Sequence, residues 1–256
     1  NMVAPSVADT DSDGLPELIT LREPDRTQII LHEVPQWYEM SALAEVASLS
    51  SANGTMAPRF GIWRAVGDFD GNGRQTIVVG TESGDIYLFH NLGDNTYSAP
   101  EIIHGTGDAT RVWGGVDITG DGLANYAVLR YHEGSRFSIS ERRFELELYG
   151  NDSTPILIHE FADARTDGTG LATGDVGPNG SPALVFAIPP RLYALSNPQY
   201  GINGLTWFSE ATIPSQPLVA DLTSNHRSEL VIGRGDSLFV MRRTTVDDPL
   251  PPPRNV

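Results

Sequence analysis

Val7-Ala8-Asp9-Thr10-Asp11-Ser12-Asp13-Gly14, followed after Leu15-Pro16 by Glu17-Leu18-Ile19-Thr20-Leu21, is the stretch on which the fold reading turns. Aspartates at alternate positions of a tight turn can all present carboxylates to one centre, and a glycine at the sixth position permits the sharp bend that closes it. The apolar, β-branched run behind the turn reads as a short buried strand. The unit is therefore an acidic loop that feeds a strand.

The unit recurs. Val66-Gly67-Asp68-Phe69-Asp70-Gly71-Asn72-Gly73, Gly115-Val116-Asp117-Ile118-Thr119-Gly120-Asp121-Gly122, Thr173-Gly174-Asp175-Val176-Gly177-Pro178-Asn179-Gly180 and Val219-Ala220-Asp221-Leu222-Thr223-Ser224-Asn225-His226 all carry the opening aspartate. Those aspartates stand 46 to 59 residues apart, a period in the range of propeller blades. Apolar runs follow each loop, as in Thr76-Ile77-Val78-Val79-Gly80 and Ala183-Leu184-Val185-Phe186-Ala187. Second strands such as Ile86-Tyr87-Leu88-Phe89 lie beyond Gly-containing turns, which makes hairpins. With the strand entering the loop and a fourth element such as Ile102-Ile103-His104 or Ile156-Leu157-Ile158-His159, each copy supplies about four antiparallel strands.

The expected fold is all-β, a β-propeller of about five four-stranded blades over residues 1–246, or the C-terminal part of a seven-bladed one. Ser41–Leu49 has an apolar spacing that suits a helix as well as a strand, and the repeat favours the outer strand of the first blade. Residues 247–256, with prolines at 249 and 251–253, read as an extended linker to a following domain.

Composition agrees. The 26 glycines and 18 prolines among 256 residues suit many short strands and tight turns rather than a helical bundle. A formal charge of −16 repels a phosphate backbone, so nucleic acid is not an expected partner. Such an acidic excess draws attention to cations. Cysteine is absent, which excludes disulfides and thiolate metal sites, and no apolar run is long enough for a membrane helix.

A hard cation such as Ca²⁺ takes six to eight oxygens, and loop positions 1, 3, 5 and 9 can supply them. The first loop offers Asp9, Asp11, Asp13 and Glu17; the second offers Asp68, Asp70 and Asn72, with only Thr76 at the ninth position. The third offers Asp117, Thr119, Asp121 and Asn125, and the fifth a weaker set of Asp221, Thr223, Asn225 and Glu229 with His226 in place of glycine. The fourth keeps only Asp175 and Asn179 and is expected to hold no ion. An EF-hand would need a glutamate at position 12, but Thr20, Val79, Val128, Phe186 and Ile232 stand there, inside the strands. Asx-rich turns that cap their own backbone would also explain the loops without metal. For the first loop that alternative leaves three carboxylates and a glutamate crowded with no counter-charge.

The loop-and-strand pattern resembles the integrin-α-type FG-GAP or VCBS repeat, in which an aspartate-rich loop between two blade strands binds calcium. The resemblance extends to about Arg243. It implies Ca²⁺ held for stability rather than chemistry, in an extracellular binding, scaffold or adhesion module of a secreted or surface protein, with a protein or glycan ligand, no membrane insertion and further domains in the chain. No catalytic residue or organic cofactor site is read from the sequence: the six histidines are scattered and no serine stands in a nucleophile elbow. A carbohydrate-active enzyme or a lectin-like propeller is the alternative, because Trp63, Arg64, Arg111 and Trp113 precede loops two and three on strands that would line a channel. Arg234-Gly235-Asp236 reads as an adhesion tripeptide or, more simply, as a hairpin turn.

Overall fold

Apolar runs without alternation need cover on both faces of a sheet, and the sheets receive it. The computed structural model describes residues 6–34, 43–50, 58–105, 108–132, 143–151, 153–162, 171–176, 181–188, 191–196, 203–207, 218–222, 228–234, 237–241 and 254–255. They form five four-stranded sheets of antiparallel meander order and one small ribbon.

The first sheet is β1 (Ser6–Ala8), β2 (Glu17–Leu21), β3 (Gln28–Glu33) and β4 (Ala44–Ser50). Residues 44–49, open between helix and strand in the sequence, are thus strand. The second is β5 (Phe60–Gly67), β6 (Thr76–Thr81), β7 (Ile86–Phe89) and β10 (Glu101–Ile103), interrupted by the ribbon β8 (Asn91–Gly93) and β9 (Thr96–Tyr97). The third is β11 (Asp108–Val116), β12 (Asn125–His132), β13 (Arg143–Tyr149) and β14 (Pro155–Ala162). The fourth is β15 (Leu171–Gly174), β16 (Ala183–Ile188), β17 (Arg191–Leu195) and β18 (Asn203–Trp207). The fifth is β19 (Leu218–Ala220), β20 (Glu229–Arg234), β21 (Ser237–Met241) and β22 (Arg254–Asn255). Each acidic loop joins the first two strands of its sheet.

The chain divides into two compact units, Asn1–Gly115 with Leu123–Glu160, and Val116–Gly122 with Phe161–Val256. In the first unit, Ile19, Leu21, Ile29, Leu31 and Leu49 of sheet one pack against Phe60, Ile77, Val79, Tyr87 and Phe89 of sheet two. The other face of sheet two, through Ala65, Val78, Ile86 and Leu88, packs against Val112, Tyr126, Val128 and Tyr149 of sheet three. Alternate residues of one strand therefore serve two different cores, which is why Thr76–Thr81 is buried throughout. Sheets two and three also meet at backbone distance. A Cβ added at Gly115, whose φ is +105°, would lie 2.2 Å from the Val66 carbonyl oxygen. In the second unit Phe161, Phe186 and Tyr193 form an aromatic cluster with ring centroids 4.9 to 5.7 Å apart.

The tail departs from expectation. Within the stretch expected to be a linker, Arg254–Asn255 pairs with β21, Val240 opposite Arg254 and Phe239 opposite Asn255. Arg254 and Asn255 carry the N–H donors that the prolines at 249 and 251–253 lack, so these two residues can join a ladder. Residues 242–253 lie outside the described residues. Among the described residues no helix is long and apolar enough to cross a membrane.

Candidate metal centre

The first three loops share one hydrogen-bond frame, and its origin is the opening aspartate. In loop one Asp9 Oδ1 accepts from Ser12 N at 2.8 Å and Oδ2 from Gly14 N at 3.0 Å. In loop two Asp68 accepts from Gly71 N at 2.8 Å and Gly73 N at 2.9 Å. In loop three Asp117 accepts from Gly120 N at 2.6 Å and Gly122 N at 2.8 Å. The first carboxylate thus ties down the N–H groups of positions 4 and 6. Both positions take positive φ in all three loops, which is where glycine is cheapest; Ser12, at φ 66°, is the one non-glycine.

What the frame holds differs from loop to loop. In loop one, oxygens of Asp9, Asp11 and Asp13 lie within 4.8 Å of one another. Loop two brings two carboxylates, and the Asn72 amide donates to Asp70 Oδ2 at 2.9 Å, so its third side chain already has a partner. In loop three Thr119 Oγ1 donates to Asp117 Oδ1 at 3.3 Å, and Asp121 is exposed. Asn125 sits fully buried at the start of β12. Of loop four, Asp175 is described and Asn179 lies outside the described residues; of loop five, Asp221 and Glu229 are described and Thr223 and Asn225 lie outside them.

The ninth-position glutamates do something the sequence does not announce. Glu17 is fully buried, and its Oε2 accepts from both the backbone N–H and the hydroxyl of Thr10, the second loop position. Glu229 Oε2 accepts from Leu222 N, again the second position, at 2.8 Å. Each glutamate braces the start of its loop from the following strand. In loop one Glu17 groups with Asp11 and with Glu33, not with Asp9 and Asp13.

Glu33 escapes a motif search because it belongs to no loop. It enters through register, since β2 and β3 pair Glu17 directly opposite Glu33. Hairpin pairing from the turn back to Glu17 is the one signal that finds it. Its carboxyl is pushed up to about 7, first by burial, then by the charges of Glu17, Asp13 and Asp11. Tyr97, packed against the same core, is pushed up to about 12, first by burial and also by Glu17 and Asp11.

The ribbon from sheet two completes the site. Asn95 Oδ1 lies 2.6 Å from Thr10 Oγ1, where it shares that hydroxyl's one proton with Glu17, and Asn95 Nδ2 donates to Asp11 Oδ2 at 2.9 Å, while Asn91 Nδ2 donates to the Thr10 carbonyl at 2.6 Å. Loop one is thereby held by its own strand and by a neighbour.

The donor set fits a hard divalent cation. All the converging side-chain atoms are oxygens, and Oε1 of Glu17 and of Glu33 are buried without a hydrogen-bond partner. Uncompensated, Glu33 binds protons more tightly in the folded chain than at its ordinary value of 4.5. In chelator, stability from this group therefore falls as pH rises from 4.5 to about 7. The melting temperature of Glu33→Gln relative to wild type is expected to climb across that interval and then level off. A difference independent of pH would contradict this.

Trp63 and Trp113, on β5 and β11, are half-buried and pack at 5.0 Å with planes tilted by 51°. Arg64 is buried and donates to the Ile19 carbonyl at 2.8 Å, so it ties β5 to β2. Arg234 ends β20, and Gly235 and Asp236 lie outside the described residues.

Residues 68–128, from loop two through the strand after loop three, match the FG-GAP-like repeat family. No curated protein matches the chain. Among solved structures, the crystal structure of an ACO/RPE65 chimera in a trigonal crystal form is similar at 9% identity, over 99% of this chain and 71% of that one, with a TM-score of 0.38. A likeness that slight carries no argument.

Proposed function

We propose, on the premise that this chain carries an FG-GAP-like repeat, that it is a calcium-stabilised β-propeller serving as an extracellular binding or adhesion module. The five four-stranded sheets are its blades, and the aspartate loops between first and second strands are its calcium sites, loop one foremost. The observation that carries the reading is the convergence of Asp9, Asp11 and Asp13 on one point of a glycine-closed turn. Calcium there contributes stability: it offsets the mutual repulsion of the carboxylates and fixes the turn between two strands. Millimolar calcium outside cells would keep such a site filled, which supports a secreted or surface location.

The module is read as a binder of protein or glycan. The half-buried Trp63 and Trp113 rings favour screening glycans first, since sugars stack on such faces. The test is calorimetric titration of exhaustively chelated protein with Ca²⁺. Saturable binding complete by millimolar calcium is expected; absence of binding at 10-fold higher concentration would sink the reading, a range set by the weak extracellular sites at about 10⁻⁴–10⁻³ M.

A further inference from the structure

Loop one accounts for three carboxylates, yet five crowd this corner. Oxygens of Asp11, Glu17 and Glu33 form a second group lying within 4.8 Å of one another, and Asp11 belongs to both groups. Glu17 is 0% exposed, and its Oε1 has no hydrogen-bond partner; Glu33 Oε1, across the β2–β3 ladder, is likewise buried and unpartnered. No arginine, lysine or histidine offsets them: among the described residues none of the ion pairs involves Asp9, Asp11, Asp13, Glu17 or Glu33. Buried carboxylate oxygens in that state are strongly disfavoured unless a cation or a proton takes them.

We propose that Asp11, Glu17 and Glu33 form a second divalent-cation site, on the strand side of the aspartate loop and bridged to it by Asp11. The proposal rests on the calcium reading of loop one and deepens it into a two-ion centre. Charge favours two ions over one. A single divalent ion offsets two of the five formal charges, and a second leaves one, with Asn95 Nδ2 donating to the bridging Asp11. Division of labour within Glu17 is equally telling: Oε2 is spent on Thr10, and Oε1 is buried with no donor to neutralise it. The ligand class is a hard cation, because every donor is a carboxylate oxygen.

The experiment is equilibrium dialysis against Ca²⁺ of chelated wild type, Asp13→Asn, Glu33→Gln and the double variant, each checked for a cooperative melt. Glu33→Gln is expected to bind one equivalent fewer than wild type, Asp13→Asn to weaken the loop ion, and the double variant to lose both. If Glu33→Gln fails to fold, Glu33→Asp retains the charge, withdraws it by one methylene, and should weaken one class of site by about 10- to 100-fold. Unchanged stoichiometry and affinity in a folded Glu33 variant would overturn the second site and leave the loop reading standing, with a proton shared by Glu17 and Glu33 instead. A wild type that takes up no calcium would overturn the loop reading itself.

Discussion

Removing calcium from the intact chain is expected to lower its melting temperature by roughly 5–10 °C, and Asp11→Ala in saturating calcium to reproduce much of that loss. A ligand held only by the folded state stabilises by about 2.7 kcal/mol when present at 100 times its dissociation constant. In a protein of this size each kcal/mol moves the midpoint by about 2–4 °C. Asp11 is the position of choice because it belongs to both carboxylate groups and also receives Asn95 Nδ2. Adding chelator to Asp11→Ala should then lower the midpoint by less than it does in wild type, since the variant has already lost the loop-one ions and keeps only those of the other loops. Differential scanning calorimetry decides it, and superimposable wild-type curves with and without calcium would rule metal out of loop one.

The second large effect has nothing to do with calcium. Arg130, 1% exposed on β12, donates from Nε to Glu147 Oε2 at 2.9 Å and from Nη1 to the carbonyl of Gly84 in the β6–β7 turn. Tyr149 donates its hydroxyl to the same glutamate oxygen at 2.8 Å. The guanidinium thus neutralises a buried carboxylate and ties sheet three to a hairpin of sheet two. Arg130→Ala strands Glu147 without its counter-charge, which costs about 3–5 kcal/mol, a large share of the 5–15 kcal/mol that typically holds a protein folded. Arg130→Met with Glu147→Leu should recover part of the loss, because an apolar pair of similar volume removes the stranded charge but leaves the Gly84 carbonyl and the Tyr149 hydroxyl without their partners. Urea unfolding measures both. A single variant within about 1 kcal/mol of wild type would show the pair to be dispensable.

Strands and loops were legible because each is written in its own few residues. Glu17–Leu21 and Thr76–Thr81 are runs that only a doubly covered strand explains, and Asp9-Thr10-Asp11-Ser12-Asp13-Gly14 spells its own turn. What neighbours contribute was not legible. Glu33 meets the site through strand register, Asn91 and Asn95 arrive on a ribbon inserted into another sheet, and none of the three belongs to an aspartate loop of the repeat. Position 9 marks Glu17 as a ligand but says nothing of its second task, since one of its oxygens is committed to Thr10. Which oxygen of a buried carboxylate meets which neighbour depends on how the side chain turns, and spacing carries no information on that. Arg254–Asn255 was obscured by the prolines before it, whose missing N–H groups disqualify themselves but not the residues that follow.

The grip of the β8–β9 ribbon on loop one also orders events during synthesis. Thr10 and Asp11 find their partners in Asn91 and Asn95, more than eighty residues further along the chain. A polypeptide emerging from the ribosome must therefore carry its first acidic turn held only by its own local bonds until the second sheet has followed it out. Any chaperone or protease working on the nascent chain meets that turn in a looser form than the finished protein displays.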